Sequence, residues 1–140
     1  MKYLLDTCLI SELVGKNPDR KVVKWVAECD EELAYLSVLT LGEIQKEISG
    51  IPDAKRKAAL QKWLDTDLLA RFGDRILPVS EEVAKTWGGL QAKAEFRRKP
   101  VSTLDGLLGA TAITHHLTVI TRRESDIHRT GAKVLNPWGP

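Results

Sequence analysis

The sequence predicts an α/β fold: a short parallel sheet covered by helices on both faces. Three observations lead there. Short apolar runs recur along the chain, as buried strands require. Segments with helical periodicity separate them, which is the alternation of a parallel sheet. The chain has 140 residues, 43% of them hydrophobic, enough for one such domain spanning 1–140, with little room for a second.

The elements follow in order. Lys2 to Leu5 is an apolar run ended by Asp6 and reads as the first strand. Asp19 to Cys29 sets Val22, Val23, Trp25 and Val26 among Lys and Glu, a helical pattern. Leu33 to Val38 reads as the second strand. Thr40 to Ser49 reads as a helix, with Gly50 as its C-cap. Asp53 to Arg71 spaces Leu60, Leu64 and Leu68 four apart, opposite Lys and Arg, which describes an amphipathic helix. Arg75 to Val79 is a third strand. Ser80 then caps a helix whose first turn holds Glu81 and Glu82. Its buried face is Val83, Trp87, Leu90 and Ala94, and Pro100 marks its end. Ser102 to His116 is a helix rich in small residues. Leu117 to Thr121 is the fourth strand, and Lys133 to Leu135 the last, stopped by Asn136-Pro137.

Composition narrows the function. Charged residues make up 29% and the formal net charge is +2, which suits neither a nucleic-acid coat protein nor a disordered acidic tail. No apolar run approaches the ~18 residues of a membrane span. Asp6 interrupts the N-terminus too early for a secretory leader. Cys8 and Cys29 form neither a metal spacing nor a disulfide framework, so the expected compartment is the reducing cytoplasm.

In parallel α/β folds ligands bind outside the carboxyl ends of the strands. Asp6 ends the first strand. Glu43, after the second, falls in the first turn of a helix, and Asp105 in the first turn of another. Asp126 lies shortly after the fourth strand. Each has a plainer reading. Thr40-x-x-Glu43 matches a capping box and Ser102-x-x-Asp105 resembles one; Asp6 reads equally as a turn residue and Asp126 as a surface acid. Together they map to one edge of the sheet, where clustered carboxylates repel unless a cation joins them. Oxygen ligands alone favour Mg²⁺ or Mn²⁺. His115, His116 and His128 are not read as ligands, because the first two diverge on a helix and the third is remote. Such an ion serves phosphoryl transfer, including phosphodiester hydrolysis. Phosphate-binding glycine loops and a serine nucleophile elbow are absent. Of the basic clusters, Arg122-Arg123 adjoins the acidic edge and is best placed to touch a phosphate backbone.

The motifs resemble a known family. Leu5-Asp6-Thr7-Cys8-Leu9-Ile10-Ser11-Glu12-Leu13 is similar to the opening of PIN-domain toxins of the VapC/FitB type. Ser37 to Ile44, Leu104 to Ala112, Val119 to Ile127 and Leu135 to Trp138 resemble their later motifs, in order, over essentially the whole chain. The resemblance implies a three-layer αβα fold and Mg²⁺- or Mn²⁺-dependent endoribonuclease activity leaving 5′-phosphate and 3′-hydroxyl ends. It also implies a cognate antitoxin and homodimeric or larger assembly. Asp6, Glu43 and Asp105 carry over as metal ligands, with Asp105 or Glu43 helping to take a proton from water. Thr7, Ser11 and Thr121 match polar positions that orient carboxylates or water. Two departures matter. Cys8 stands where the family usually has Asn. Arg123 stands where it often has Asn or Asp, so that either Asp126 completes the site or three acids and waters do. A second reading therefore stays open: a catalytically impaired PIN-fold binding module that works with its partner at a promoter. A receiver-like phosphoacceptor is disfavoured, because Thr7 rather than a second acid follows Asp6.

Overall fold

The structure is a computed structural model that describes residues 1–139. Five parallel strands form one sheet in the order β3-β2-β1-β4-β5: β1 (Lys2–Leu5), β2 (Ala34–Ser37), β3 (Ile76–Leu77), β4 (Leu117–Ile120) and β5 (Lys133–Leu135). Leu4 pairs with Tyr35 on one side and Val119 on the other, so β1 is central. The order reverses at β1, where the chain first builds outward to β3 and then returns to β4. That is the switch point at which α/β sheets open a crevice.

Side-chain alternation divides the core into two layers. Leu5, Leu36 and Ile120 face one cluster with Leu9, Ile10, Val22, Ile44, Ile48, Leu64, Leu68 and Phe72. Leu4, Leu117 and Val119 face the other, with Leu108, Ala112 and Ile127. The first layer is built from α1 (Thr7–Val14), α2 (Arg20–Glu28), α3 (Val38–Ser49), α4 (Ala54–Lys62) and α5 (Leu69–Phe72). The second contains α7 (Thr103–His115) and α8 (Glu124–His128), with α6 (Glu81–Phe96) packed along α7. This is the expected three-layer arrangement. Among the described residues no helix is long and apolar enough to cross a membrane.

Most elements fall where periodicity puts them. The caps of α2, Asp19 and Cys29, bound the expected segment. Ser80 caps α6 through the Val83 amide at 3.2 Å, and Ser102 caps α7 through that of Asp105 at 3.2 Å. The expected Asp53–Arg71 helix runs on to Phe72 through a π-helical stretch, Trp63–Leu68. Residues four apart drift around an α-helix by about 40° per step. The wider turn counters that drift, keeping Leu64 and Leu68 both in the core.

Two helices go beyond the sequence expectation. α1 starts directly after β1, with no connecting loop, and α8 fills the turn after β4. One expectation is overturned. Thr40 is not the N-cap of its helix: α3 starts two residues earlier, and Ser37 Oγ accepts from the Leu39 amide at 3.1 Å. The Thr40–Glu43 capping box does not exist. Thr40 is fully buried, its hydroxyl without a partner among the described residues, and Glu43 lies in the second turn of α3.

Candidate active site at the carboxyl edge of the sheet

Asp6 is the fixed point of the site. It ends the central strand, where its amide donates to the Ile120 carbonyl at 3.0 Å, and it caps α1. One carboxylate oxygen accepts from the Thr7 amide at 2.8 Å. The other accepts from the Thr121 hydroxyl at 2.8 Å and from Arg123 Nη2 at 3.1 Å. The side chain is 1% exposed. A buried carboxylate is tolerated only with such donors and a cation. Position at a strand end thus yields a pre-oriented anion, held from both β1 and β4.

The other acids join through intermediaries. Thr7, in the first turn of α1, donates through Oγ1 to Glu43 Oε1 at 2.7 Å. One turn further along each helix, Ser11 Oγ donates to Glu47 Oε2 at 2.9 Å. Two hydroxyls of α1 therefore hold two carboxylates of α3, each pair repeating after four residues. Asp105, in the first turn of α7, receives Arg123 Nη1 at 2.8 Å. Arg123 thus bridges Asp6 and Asp105. Burial alone would push its guanidinium down, but the two carboxylates outweigh burial and raise it.

Cys8 lies against the same oxygens. Its Sγ is 3.7 Å from Asp6 Oδ2 and 3.7 Å from Thr121 Oγ1, and it accepts from the Arg122 amide at 3.5 Å. Burial, then the Asp6 charge, push its thiol above the ordinary value, more than the Arg122 amide, Thr121 and Arg123 lower it.

Of the four sequence-chosen acids, Asp6, Glu43 and Asp105 are connected in one network through Thr7 and Arg123. Asp126 is exposed on α8 and has no hydrogen bond or ion pair to them among the described residues. Sequence reading passed over Glu47, whose signal is its four-residue spacing from Glu43 on one helix. It also passed over Glu12, which lines the same cleft and accepts from Trp138 Nε1 at 2.9 Å. Among the described residues no three His, Cys, Asp or Glu side chains converge closely enough to hold a metal ion as they stand. The donor set nonetheless fits a hard cation: it is all oxygen, and a guanidinium already occupies the position between Asp6 and Asp105.

The PIN domain family pattern matches residues 3–133. This chain belongs to the PIN-domain family. It is 34% identical over 137 residues to the VapC ribonuclease Y4jK of Sinorhizobium fredii, covering 98% of both chains. It is 35% identical over 135 residues to toxin FitB of Neisseria gonorrhoeae, covering 96% of this chain and 97% of that one. The crystal structure of FitAcB from Neisseria gonorrhoeae superposes with a TM-score of 0.93 at 34% identity, over 97% of this chain and 98% of that one. Within the PIN family the chain therefore stands with the VapC and FitB toxins. The parallel sheet and flanking helices are those of a PIN domain, as the motifs implied.

Proposed function

We propose that the protein is a divalent-metal-dependent endoribonuclease, the toxin of a toxin–antitoxin pair. The observation that carries this reading is the buried Asp6 carboxylate at the sheet's switch point, tied through Thr7 to Glu43 and through Arg123 to Asp105. Its kinship with a VapC ribonuclease and with FitB supports it. Asp6, Glu43 and Asp105 would hold Mg²⁺ or Mn²⁺. Asp126, on the exposed side of α8, would act through the surrounding water. When bound, such an ion polarises a phosphodiester and lowers the pKa of a water.

The chain's own groups do the rest. Thr121 and the Thr7 amide hold the Asp6 carboxylate in one orientation, each donating to a different oxygen. Thr7 turns Glu43 toward the cleft, and a carboxylate held by one hydroxyl keeps free lone pairs to accept a proton from water. Arg122, stacked 5.4 Å from the Trp138 ring, presents positive charge beside the acids, suited to an RNA backbone. We further propose a cognate antitoxin as the partner, assembly as a dimer or larger complex, and action in the cytoplasm, where RNA is the substrate. FitAcB and its relative complexes support the partner.

The test is incubation of the purified chain with total RNA, with Mg²⁺ and with EDTA. Cleavage only with metal, lost in Asp6→Asn, is expected. Cleavage that persists in EDTA would sink the metal reading. One observation favours the second reading, a binding module acting with its partner at a promoter: Arg123 neutralises two of the three acids. No cleavage under any metal, with promoter binding of the complex intact, would favour it.

A further inference from the structure

We infer that Arg123 is a built-in counter-cation: its guanidinium holds the position between Asp6 and Asp105 until a divalent ion displaces it, so this residue sets the metal affinity of the site. The inference rests on the proposed metal-dependent reading of the same acids.

Geometry carries it. Nη2 reaches Asp6 Oδ2 at 3.1 Å and Nη1 reaches Asp105 Oδ1 at 2.8 Å. Two different nitrogens serve two different carboxylates, one from the end of β1 and one from α7. A guanidinium that forks between two acids, rather than clasping one, stands where a shared ion would stand. Asp6 has no other cationic partner among the described residues, and at 1% exposure it needs one. Without Arg123 the protein would bury an uncompensated charge.

Arg123 is also built to leave. Its side chain is 40% exposed, against 13% for that of Asp105. Its backbone is anchored independently, the amide donating to Thr121 Oγ1 at 3.0 Å. Side-chain rotation alone can carry the guanidinium into solvent, leaving β4 and α8 unmoved. Glu43 is not part of the bridge, and among the described residues it is bound by a hydroxyl only. The bridge therefore balances two acids and leaves the third, which keeps the cleft attractive to a cation of higher charge. A dication then gains three carboxylates at the cost of one ion-pair bridge. The measured affinity is the difference between these, and no protein segment has to refold.

The experiment uses the full chain and counts bound Mn²⁺ by electron paramagnetic resonance, with no RNA present. Arg123→Gln should bind Mn²⁺ on the order of tenfold more tightly than wild type, because the competitor is gone. Its metal-free melting temperature should fall, and Mn²⁺ should restore more of it than in wild type. Arg123→Lys, which keeps the charge and loses the fork, should lie between them and serves if the Gln variant does not fold. In the wild type, phenylglyoxal labelling at Arg123, mapped by mass spectrometry, should rise when Mn²⁺ is added. Unchanged affinity in both variants, or labelling that stays level or falls with Mn²⁺, overturns the competition and leaves the metal reading standing. No Mn²⁺ binding by wild type or variants overturns both.

Discussion

Glu43 is where a structural and a chemical role separate most cleanly. Sequence alone leaves it readable as half of a capping box. The helix is capped by Ser37 instead, so Glu43 has no end-of-helix duty. Glu43→Gln keeps an oxygen for the Thr7 hydroxyl and removes one charge from an acidic cleft. Metal-free stability should be unchanged or slightly higher, because repulsion falls. RNA cleavage should drop by orders of magnitude, and Mg²⁺ should raise the melting temperature less than in wild type. A variant cleaving near the wild-type rate would remove Glu43 from the site. Cys8 makes the opposite case: a sulfur beside the site that stays inert. Its thiol is raised above the ordinary 9.0 by burial and by Asp6, so it is neutral at physiological pH. A raised folded value means that whatever stability the neutral thiol contributes is present below that range and is lost as pH rises through it. Iodoacetamide should modify Cys8 more slowly than a small free thiol at pH 8, with the rate climbing only under more alkaline conditions. Rapid alkylation at neutral pH would contradict this environment.

At the scale of elements, what the sequence made legible was periodic and what it hid was abrupt. Strands β1 and β4 stand out because Leu4-Leu5 and Val119-Ile120 are apolar on both faces. Helix α1 was hidden because it begins at the residue after Asp6, and eight residues with Leu9, Ile10 and Leu13 give too short a period to recognise. The start of α3 differs from the expected one because Ser37 and Thr40 can both cap, and only packing decides between them. Asp6 and Asp105 could be placed on one edge because a strand end and a helix start face it, and Glu43 because α3 follows β2 directly. The Arg123 bridge was not: it joins residues 117 positions apart, and no local pattern encodes that distance. The small residues of α7 were legible as a pattern but not in purpose. A Cβ at Gly109 would lie 2.2 Å from Thr130 Oγ1 and 2.4 Å from Thr130 Cβ. Thr130 cannot swing aside freely, because its hydroxyl donates to the Ile127 carbonyl and accepts from the Ala132 amide. Gly109→Ala should therefore destabilise the fold by about 1–3 kcal/mol, despite the better helix propensity of Ala. Equilibrium denaturation measures it; a neutral or stabilising result would mean that α7 and the loop after α8 separate easily.

For the whole molecule, charge in the cleft decides where a partner must bind. Arg123 already satisfies Asp6 and Asp105, so a cation supplied by an antitoxin meets a filled position there. Glu43 and Glu47 are different. Each is held by a hydroxyl of α1, and neither is paired with a cation among the described residues. They lie one turn apart on α3, the spacing that a single Arg or Lys reaches across, and a guanidinium can serve both. The partner should therefore insert its basic side chain on the α3 side of the cleft rather than between β1 and α7. Glu47→Gln tests this with a group outside the proposed metal set. Affinity for the antitoxin should fall about three- to thirtyfold, with a shallower dependence on salt, as expected when one interfacial charge pair is lost. Metal-dependent cleavage by the free chain should change far less. A complex in which the antitoxin leaves Glu43 and Glu47 open to solvent would refute the placement. So would antitoxin affinity indifferent to Glu47 but raised in Arg123→Gln, where the competing guanidinium is gone, which would move the contact to the Asp6–Asp105 side.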